Sequence, residues 1–514
     1  MSTINYSQTN GTTSQPRVGV VTFTDGRDSF FSQDRESYLR LLHQQIVDFL
    51  RQHGCEVIDP MLALRGEAEG WFGVRRYSDA EFCARFLRGQ GAECMIVHSP
   101  FWTPPMLAID VVREADLPTL LYTTDDIKMP GTVSISAVGA SLQESGVNRH
   151  ALTHERIRGK PEQILPWVRG MAAVQKMRKS AVMLWGGTYS LHMEHLQDDI
   201  VALKRFMIRD ILNEGEYALI RRAEKILAQE PERAQNFLDW LKVNGTHIIY
   251  DDLSATPRNF QMQIGYYLAA RDRLAELKDE NICGVSVRCQ PTLSVEYGIV
   301  GCTLPAFLPF GMDDLGEKPV ISTVCEGDIK GLMSAVLLQK IRPDVGPIFG
   351  DFKYVGEDFF AISNCGAASV WWANRTNNPA EALPHVTIQA NVDGFIGAAV
   401  GYMGKAGQVT VARLGRVKGQ YFMHLGVGES VAVEGAVKEK VLQMFGPMWP
   451  NVMVHMDSSP ELMFRIAASN HPVATDGDVS HEVEYACREL NIPIVRLDSN
   501  ESMQAYFEHL GRMA

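Results

Sequence analysis

The chain has 514 residues, a formal net charge of −12 and a hydrophobic fraction of 46%. At roughly 150 residues per domain this length predicts about three domains, and the composition is that of a globular protein. The acidic balance, with no basic cluster interleaved with aromatics, disfavours a nucleic-acid partner. No run of about 18 apolar residues occurs, so we expect no membrane span.

The leader, residues 1–16, has neither the basic start nor the apolar stretch of a secretory signal. The nine cysteines are an odd number, and no Cys-x-x-Cys pair occurs among them. Most stand in apolar surroundings, which predicts buried and reduced thiols. We therefore expect a cytoplasmic protein.

The first third of the chain alternates β-branched runs with amphipathic stretches. Strands are predicted at residues 18–24, 55–58, 95–98 and 119–122, and a helix within residues 35–54. This alternation predicts a parallel sheet covered by helices. The first strand runs into Thr24-Asp25-Gly26-Arg27 instead of a Gly-x-Gly-x-x-Gly turn, which disfavours dinucleotide-dependent redox chemistry. We predict a doubly wound, Rossmann-like α/β domain over residues 1–172.

A second α/β pattern follows a basic, helical linker that ends near Lys179. It opens with a strand at residues 180–185, continues with a long helical region from His195 to about Leu277, and returns to strand character at residues 285–287. The pattern predicts a second doubly wound, Rossmann-like domain over residues 173–355.

The composition then shifts towards β structure. Strands are predicted at residues 359–363, 386–390, 409–414 and 421–427, followed by a helix at 482–490 and an extended segment at 492–497. This succession predicts a mostly antiparallel, β-rich C-terminal domain over residues 356–514.

Three short segments far apart in the chain carry residues suited to a divalent metal ion. They are Cys325-Glu326-Gly327-Asp328, Phe349-Gly350-Asp351 and Ser469-Asn470-His471. Glu326 and Asp351 each follow an apolar, β-rich run, so both are predicted to close a strand, where α/β proteins place ligands. Two carboxylates and an imidazole suit Mn²⁺ or a similar divalent cation. The alternative is that the carboxylates merely cap helices and that the histidine lies in an ordinary turn.

A second metal arrangement is conceivable at His192-Met193-Glu194-His195 with Asp198 and Asp199, because residues three or four apart share a helix face. The His-Glu-x-x-His spacing of zinc helices is absent, however. An exposed, polar helix start is the favoured interpretation of this stretch.

In this order and over this length, the three segments resemble those of the L-fucose isomerase and L-arabinose isomerase superfamily, L-fucose isomerase in particular. The likeness extends to Thr24-Asp25-Gly26-Arg27, Pro100-Phe101-Trp102, Pro130-Gly131, Gln290 and Ile362-Ser363-Asn364-Cys365-Gly366. The resemblance implies an aldose–ketose isomerase that acts on a free sugar through an enediolate. L-Fucose, D-arabinose and related deoxy or modified aldoses are all open as substrates.

By the same resemblance, Glu326, Asp351 and His471 bind Mn²⁺, and the two carboxylates are the catalytic groups. Which of the two transfers the proton is left open. The competing hypothesis is a carbohydrate-binding or sensing protein without catalysis. It is disfavoured because binding alone does not need two metal-ready carboxylates.

The resemblance also implies roles for five further residues. Gln290 and Asn470 would contact the sugar, and Trp449 would stack on it. Arg27 and Trp102 match positions that reach a neighbouring subunit's pocket, which implies a homo-oligomer such as a hexamer with shared active sites. Without the resemblance, Arg27 would hold a surface carboxylate, Trp102 would be a core residue and Gln290 would cap a turn.

Overall fold

The computed structural model describes residues 15–356, 359–391, 394–432, 434–445 and 449–513. The predicted leader lies almost wholly outside the described residues. The chain divides into two compact units, one over Thr12–Lys176 and one that runs from Met177 to Ala514. The predicted boundaries at residues 172 and 355 remain predictions.

The sheet of the first unit is entirely parallel. Its strands are β1 (Arg17–Thr22), β2 (Glu56–Ile58), β3 (Cys94–His98), β4 (Thr119–Thr123) and β5 (Glu155–Arg158), in the order β2-β1-β3-β4-β5. The helices are α1 (Gln33–Gln52), α2 (Pro60–Arg65), α3 (Tyr77–Gly89), α4 (Pro105–Ala115), α5 (Gly131–Ser145), α6 (Arg149–Thr153) and α7 (Leu165–Met177). Every residue of β3 and β4 is buried, as expected of central strands in a covered parallel sheet.

The second unit begins with another parallel sheet. Its part of the chain contains β6 (Ala181–Trp185), β7 (Asp210–Glu214), β8 (His247–Ile248), β9 (Ile282–Val287), β10 (Met312–Asp313), β11 (Gly316–Glu317) and β12 (Ser322–Cys325). The helices are α8 (Ile200–Phe206), α9 (Glu216–Gln229), α10 (Pro231–Val243), α11 (Pro257–Glu276), α12 (Cys289–Pro291), α13 (Thr303–Phe307) and α14 (Ile329–Ile341). Four strands form the parallel sheet in the order β12-β9-β6-β7.

The helical region predicted from His195 to about Leu277 is interrupted by two strands, the two-residue β8 and the longer β7. This strand lies at the sheet edge and pairs only with β6. Its sequence, Asp210-Ile211-Leu212-Asn213-Glu214, is polar at both ends, and only Ile211 is buried. An edge strand that buries so little has no apolar run for the sequence to show.

The last part of the chain forms a large mixed sheet. Its strands are β13 (Ile348–Phe349), β14 (Asp351–Val355), β15 (Phe360–Ser363), β16 (Thr387–Ala390), β17 (Ala398–Met403), β18 (Gly407–Val417), β19 (Gln420–Ser430), β20 (Pro450–His455), β21 (Val473–Asp476) and β22 (Ile494–Arg496), joined by β8. The helices are α15 (Pro379–Ala382), α16 (Gly435–Phe445), α17 (Pro460–Ile466), α18 (Ser480–Leu490) and α19 (Asn500–Met513). Most strand pairs are antiparallel, including the long β18–β19 hairpin. The parallel pairs in the described sheet are β8–β16, β17–β20 and β19–β22. The prediction of a mostly antiparallel C-terminal region is confirmed.

Glu326 follows directly after β12, but Asp351 does not close a strand. β13 ends at Phe349, and Asp351 begins β14. A Cβ at the intervening Gly350 would lie 2.9 Å from the backbone carbon of Ser363 in β15. Glycine therefore lets the chain approach β15 closely and pair again at once, a tertiary contact that the local sequence does not show.

None of the helices in the described ranges is both long enough and apolar enough to cross a membrane.

Candidate active site

The three segments meet at His471. Its Nε2 atom lies 3.1 Å from Glu326 Oε2 and 3.5 Å from Asp351 Oδ1. The imidazole is 1% exposed and packs on the ring of Phe349, with 4.6 Å between ring centroids. The two carboxylate side chains are 15% and 27% exposed. The cluster therefore has a buried side at the imidazole and a partly open side at the carboxylates.

A strained turn aims Glu326 at His471. Glu326 and Gly327 have φ angles of 62° and 68°, in the left-handed region. A non-glycine residue is held there only when its surroundings enforce it, which is common at functional sites. A Cβ at Gly327 would lie 2.5 Å from Tyr189 N, so glycine is required for this close approach. Asp328 then caps α14 by accepting a hydrogen bond from Gly331 N at 2.8 Å.

Two buried charges stand behind the imidazole. Asp328 Oδ2 lies 2.9 Å from His471 Nδ1, and Asp328 Oδ1 accepts a hydrogen bond from Arg413 Nη2 at 3.0 Å. Burial by itself lowers the pKa of His471, but the hydrogen bonds with Asp328 and Glu326 and the charges of Asp328 and Asp351 outweigh it and raise the pKa to about 9. For Asp328, burial is outweighed by Arg413 and His471, which hold its pKa well below the usual range. The carboxylates around His471 therefore favour positive charge at the centre of the cluster.

Sequence reasoning assigned no role to Asp328 or Arg413. Asp328 stood inside a singled-out segment, but an aspartate before a helix is typical of an ordinary cap. Arg413 lies within β18 in a β-rich run that carries no motif. Only the packing of β18 against α14 brings the two side chains together.

Asn470 connects two of the segments. Its Nδ2 donates to Asp351 Oδ1 at 2.7 Å, and its Oδ1 accepts a hydrogen bond from His195 Nε2 at 2.8 Å. Asn470 therefore orients Asp351, and its contact with a sugar remains a prediction. His195 belongs to the alternative metal arrangement, but Asp198 in that group binds Arg416 and Tyr421 instead.

Two further predicted sugar contacts lie in the second unit. Gln290 follows β9, which pairs with β12, and its buried side chain accepts a hydrogen bond from Ser294. Trp449 is 8% exposed, and the Lys353 ammonium lies 4.0 Å from its ring centroid. Lys353 stands at a β-bulge in β14, a feature that re-aims side chains beside active sites. Stacking of a sugar on Trp449 remains a prediction.

Arg27 and Trp102 both lie in the first unit, in the loops after β1 and β3. The Arg27 guanidinium pairs with Asp25, with 2.9 Å between Arg27 Nε and Asp25 Oδ1, and lies 4.0 Å from the Phe30 ring centroid. Trp102 is 38% exposed, so it is not a core residue. Their predicted roles towards a neighbouring subunit remain predictions.

The donor set fits a hard divalent cation. Within the described ranges, no group of three or more His, Cys, Asp or Glu side chains is already arranged around a common metal position. Instead, His471 Nε2 contacts both carboxylates at hydrogen-bond distances. Two carboxylate oxygens and an imidazole nitrogen are suitable ligands for Mn²⁺.

Two family models match the chain. One, for the first N-terminal domain of L-fucose isomerase, matches residues 15–179, and one for the C-terminal domain of L-fucose isomerase matches residues 362–498. The chain belongs to the L-fucose isomerase family. The C-terminal match contains His471, whereas Glu326 and Asp351 lie between the two matched segments. The two family matches confirm the resemblance recognised in the sequence.

Among curated proteins, a sulfoquinovose isomerase from Alkalicoccus urumqiensis is 26% identical over 233 residues, which are 45% of this chain and 47% of the relative. Sulfoquinovose isomerases from Priestia aryabhattai and Priestia megaterium are each 26% identical over 161 residues, 31% of this chain and 32% of the relative. The matched segments therefore span less than half the length of these relatives.

Glu216 is a second buried carboxyl group that sequence reasoning did not single out. It begins α9, directly after β7, and is 3% exposed. Hydrogen bonds with Thr292 and with the backbone of Arg288, together with the charge of Arg288, lower the pKa of this carboxyl group but do not outweigh its burial. Burial raises its pKa from 4.5 to about 7.

We expect Glu216 to make the stability of the protein fall as the pH rises from about 4.5 to about 7. In this window the folded state binds the proton more tightly than the unfolded state, so ionisation costs folding free energy. The free energy of unfolding of Glu216→Gln, relative to that of the wild type, should rise by about 3 kcal/mol across this pH window. Chemical unfolding of both proteins at several pH values measures this gain, and Glu232→Gln, at an exposed site on α10, is the control. A difference between the Glu216 variant and the wild type that does not change with pH would contradict the prediction.

Proposed function

We propose that the protein is a metal-dependent aldose–ketose isomerase that acts on a free sugar. The observation that carries the proposal is the convergence of Glu326 and Asp351 on His471 Nε2, within 3.5 Å. Membership of the L-fucose isomerase family supports the same reaction. The parallel order of the first two sheets supports doubly wound, Rossmann-like layers, in which ligands bind beyond the carboxyl ends of the strands. Glu326 follows β12 at such an end.

The reaction removes a proton from the carbon beside a carbonyl and must stabilise the resulting enediolate. Glu326, Asp351 and His471 would hold Mn²⁺, which when bound supplies Lewis-acid stabilisation to the sugar oxygens. A carboxylate then moves the proton between the two carbons. We assign this role to Glu326. One oxygen of Asp351 is already held by the hydrogen bond that it accepts from Asn470.

The substrate we propose is an aldose with a modified terminal carbon. The family takes its name from L-fucose, a deoxy sugar, and the three relatives are named for sulfoquinovose, a hexose that carries a sulfonate. Lys353 adds a cation on the strand that Asp351 begins. A cation near an otherwise acidic site favours a substrate with an anionic substituent, so we expect sulfoquinovose to react faster than L-fucose or D-arabinose.

We further propose a cytoplasmic homo-oligomer, such as a hexamer, with active sites shared between subunits. All nine cysteines are unpaired thiols, which supports a reducing compartment. Arg27, which has a half-exposed side chain, and Trp102 are available at the surface of the first unit for a neighbouring subunit.

Deuterium exchange tests the isomerase function. Metal-stripped and Mn²⁺-reloaded protein is incubated with sulfoquinovose, L-fucose and D-arabinose in deuterated water, and deuterium at the carbon beside the carbonyl is measured. We expect exchange with at least one sugar in the reloaded protein and none in the stripped control.

Absence of exchange in Mn²⁺-loaded protein that binds one of these sugars would contradict the proposal. Calorimetry with the same three sugars measures this binding. Binding without exchange is the result expected of the alternative, a carbohydrate-binding or sensing protein.

A further inference from the structure

We propose that Asp328 and Arg413 are positioning residues that fix the imidazole of His471 so that Nε2 faces the metal. The inference rests on the proposed function, because it takes Nε2 as the metal-binding atom. Neither residue touches the cation or the sugar in this proposal. Both act through His471.

The three side chains form a continuous buried relay. Arg413 Nη2 donates to Asp328 Oδ1 at 3.0 Å, and Asp328 Oδ2 lies 2.9 Å from His471 Nδ1. The side chains of Arg413, Asp328 and His471 are 4%, 0% and 1% exposed. A carboxylate that accepts the proton of Nδ1 leaves the lone pair of Nε2 free as the metal ligand and makes that nitrogen more basic.

The relay is held on both sides by secondary structure. Asp328 Oδ1 also accepts the hydrogen bond from Gly331 N at 2.8 Å, which ties the carboxylate to the first turn of α14. β18 is joined to the same helix, since Leu414 N donates to Ser334 Oγ at 2.8 Å. A Cβ at Gly331 would lie 2.6 Å from Arg413 Nη1, so the absence of a side chain there makes room for the guanidinium. The helix and the strand together fix both ends of the relay.

Helix capping alone does not explain this arrangement. A cap needs one side-chain oxygen, whereas the second oxygen of Asp328 is directed at His471 Nδ1. A buried arginine is costly unless its charge is compensated, and a cap does not require one. We therefore attribute the buried pair of Asp328 and Arg413 to the positioning of the His471 imidazole.

Asp328→Asn separates positioning from capping, because asparagine has the same shape and is an equally good cap but carries no charge. We expect the Mn²⁺ dissociation constant of the metal-stripped protein, measured by calorimetry, to rise by about 10- to 100-fold. The matched control is Asp198→Asn. The Asp198 side chain is also 0% exposed and pairs with an arginine, with 2.7 Å between Arg416 Nη1 and Asp198 Oδ1, but it does not contact His471. This control should lose stability and keep its Mn²⁺ affinity.

The outcomes distinguish failure of the positioning role from failure of the proposed function. If the wild type binds Mn²⁺ and Asp328→Asn binds it equally tightly, the positioning role is wrong and the proposed function stands. If the wild type itself binds no Mn²⁺, the metal site fails and the positioning role fails with it. Should Asp328→Asn not fold, Arg413→Lys provides the test, since it keeps the charge but lacks the planar guanidinium. We then expect an approximately tenfold loss of affinity, at the low end of the same range, and unchanged affinity would overturn the proposal.

Discussion

Glu326→Gln is expected to abolish turnover while the fold stays intact. Glutamine has nearly the same shape, and the glutamate side chain is 15% exposed beside His471 Nε2, so little packing is lost. The variant lacks both the proton-transferring carboxylate and one charged metal ligand. Loss of general acid–base catalysis alone costs about 10²- to 10⁴-fold. With the weaker metal site added, we expect the rate to fall by at least about 10³-fold.

Deuterium exchange with the best substrate of the panel measures this loss at saturating Mn²⁺. Glu317→Gln, an exposed position on β11, is the control and should retain wild-type activity. Thermal unfolding of both variants verifies that they are folded. A folded, Mn²⁺-loaded Glu326→Gln protein with normal exchange would show that Glu326 is not the catalytic base.

Gly327→Ala is expected to lower both stability and activity. The residue has φ of 68°, and a Cβ there would lie 2.5 Å from Tyr189 N and 2.8 Å from the backbone carbon of Thr188. The left-handed conformation costs a non-glycine residue about 1–2 kcal/mol, and overpacking adds about 1–3 kcal/mol. We therefore expect unfolding free energy to fall by about 2–5 kcal/mol. Since a displacement of about 1 Å costs about 10²-fold in rate, the shift imposed on Glu326 should reduce activity to a similar extent.

Gly419→Ala is the matched control for this variant. Gly419 has φ of 82°, but a Cβ there would meet no atom within 4 Å. Its unfolding free energy should fall only by the conformational cost of about 1–2 kcal/mol, and it should keep full activity. Chemical unfolding and exchange assays compare the two proteins. Equal losses of stability in both variants, with activity preserved, would mean that the close approach to Tyr189 does not position Glu326.

The choice of Glu326, Asp351 and His471 followed from residue type and from their order along the chain. Carboxylate and imidazole donors can be recognised wherever they stand in a sequence. Their metal role remains a prediction, but the structure shows that they share one location. The prediction that Asp351 closes a strand was wrong. Gly350 allows β14 to begin at Asp351 by pairing with β15, a segment further along the chain.

Asp328 and Arg413 mark the limit of prediction from sequence. A helix cap is a local feature, but sequence reasoning assigned no role to Asp328. Its contacts beyond the cap are with Arg413 in β18 and with His471 beside β21. Neither neighbour is local in sequence, and a buried arginine within a strand has no pattern of its own.

By itself, the sequence determined the alternation of strands and helices in the first third, the β-rich end of the chain, and the set of groups able to bind a cation. These properties depend on neighbouring residues and on the chemistry of single side chains. Only the tertiary structure decided which groups meet, which oxygen of Asp328 faces which partner, and that Glu326 occupies a left-handed turn. Those outcomes depend on strand pairing and helix packing between distant segments, where the burial of charge and the exclusion of a Cβ act between residues that the sequence keeps apart.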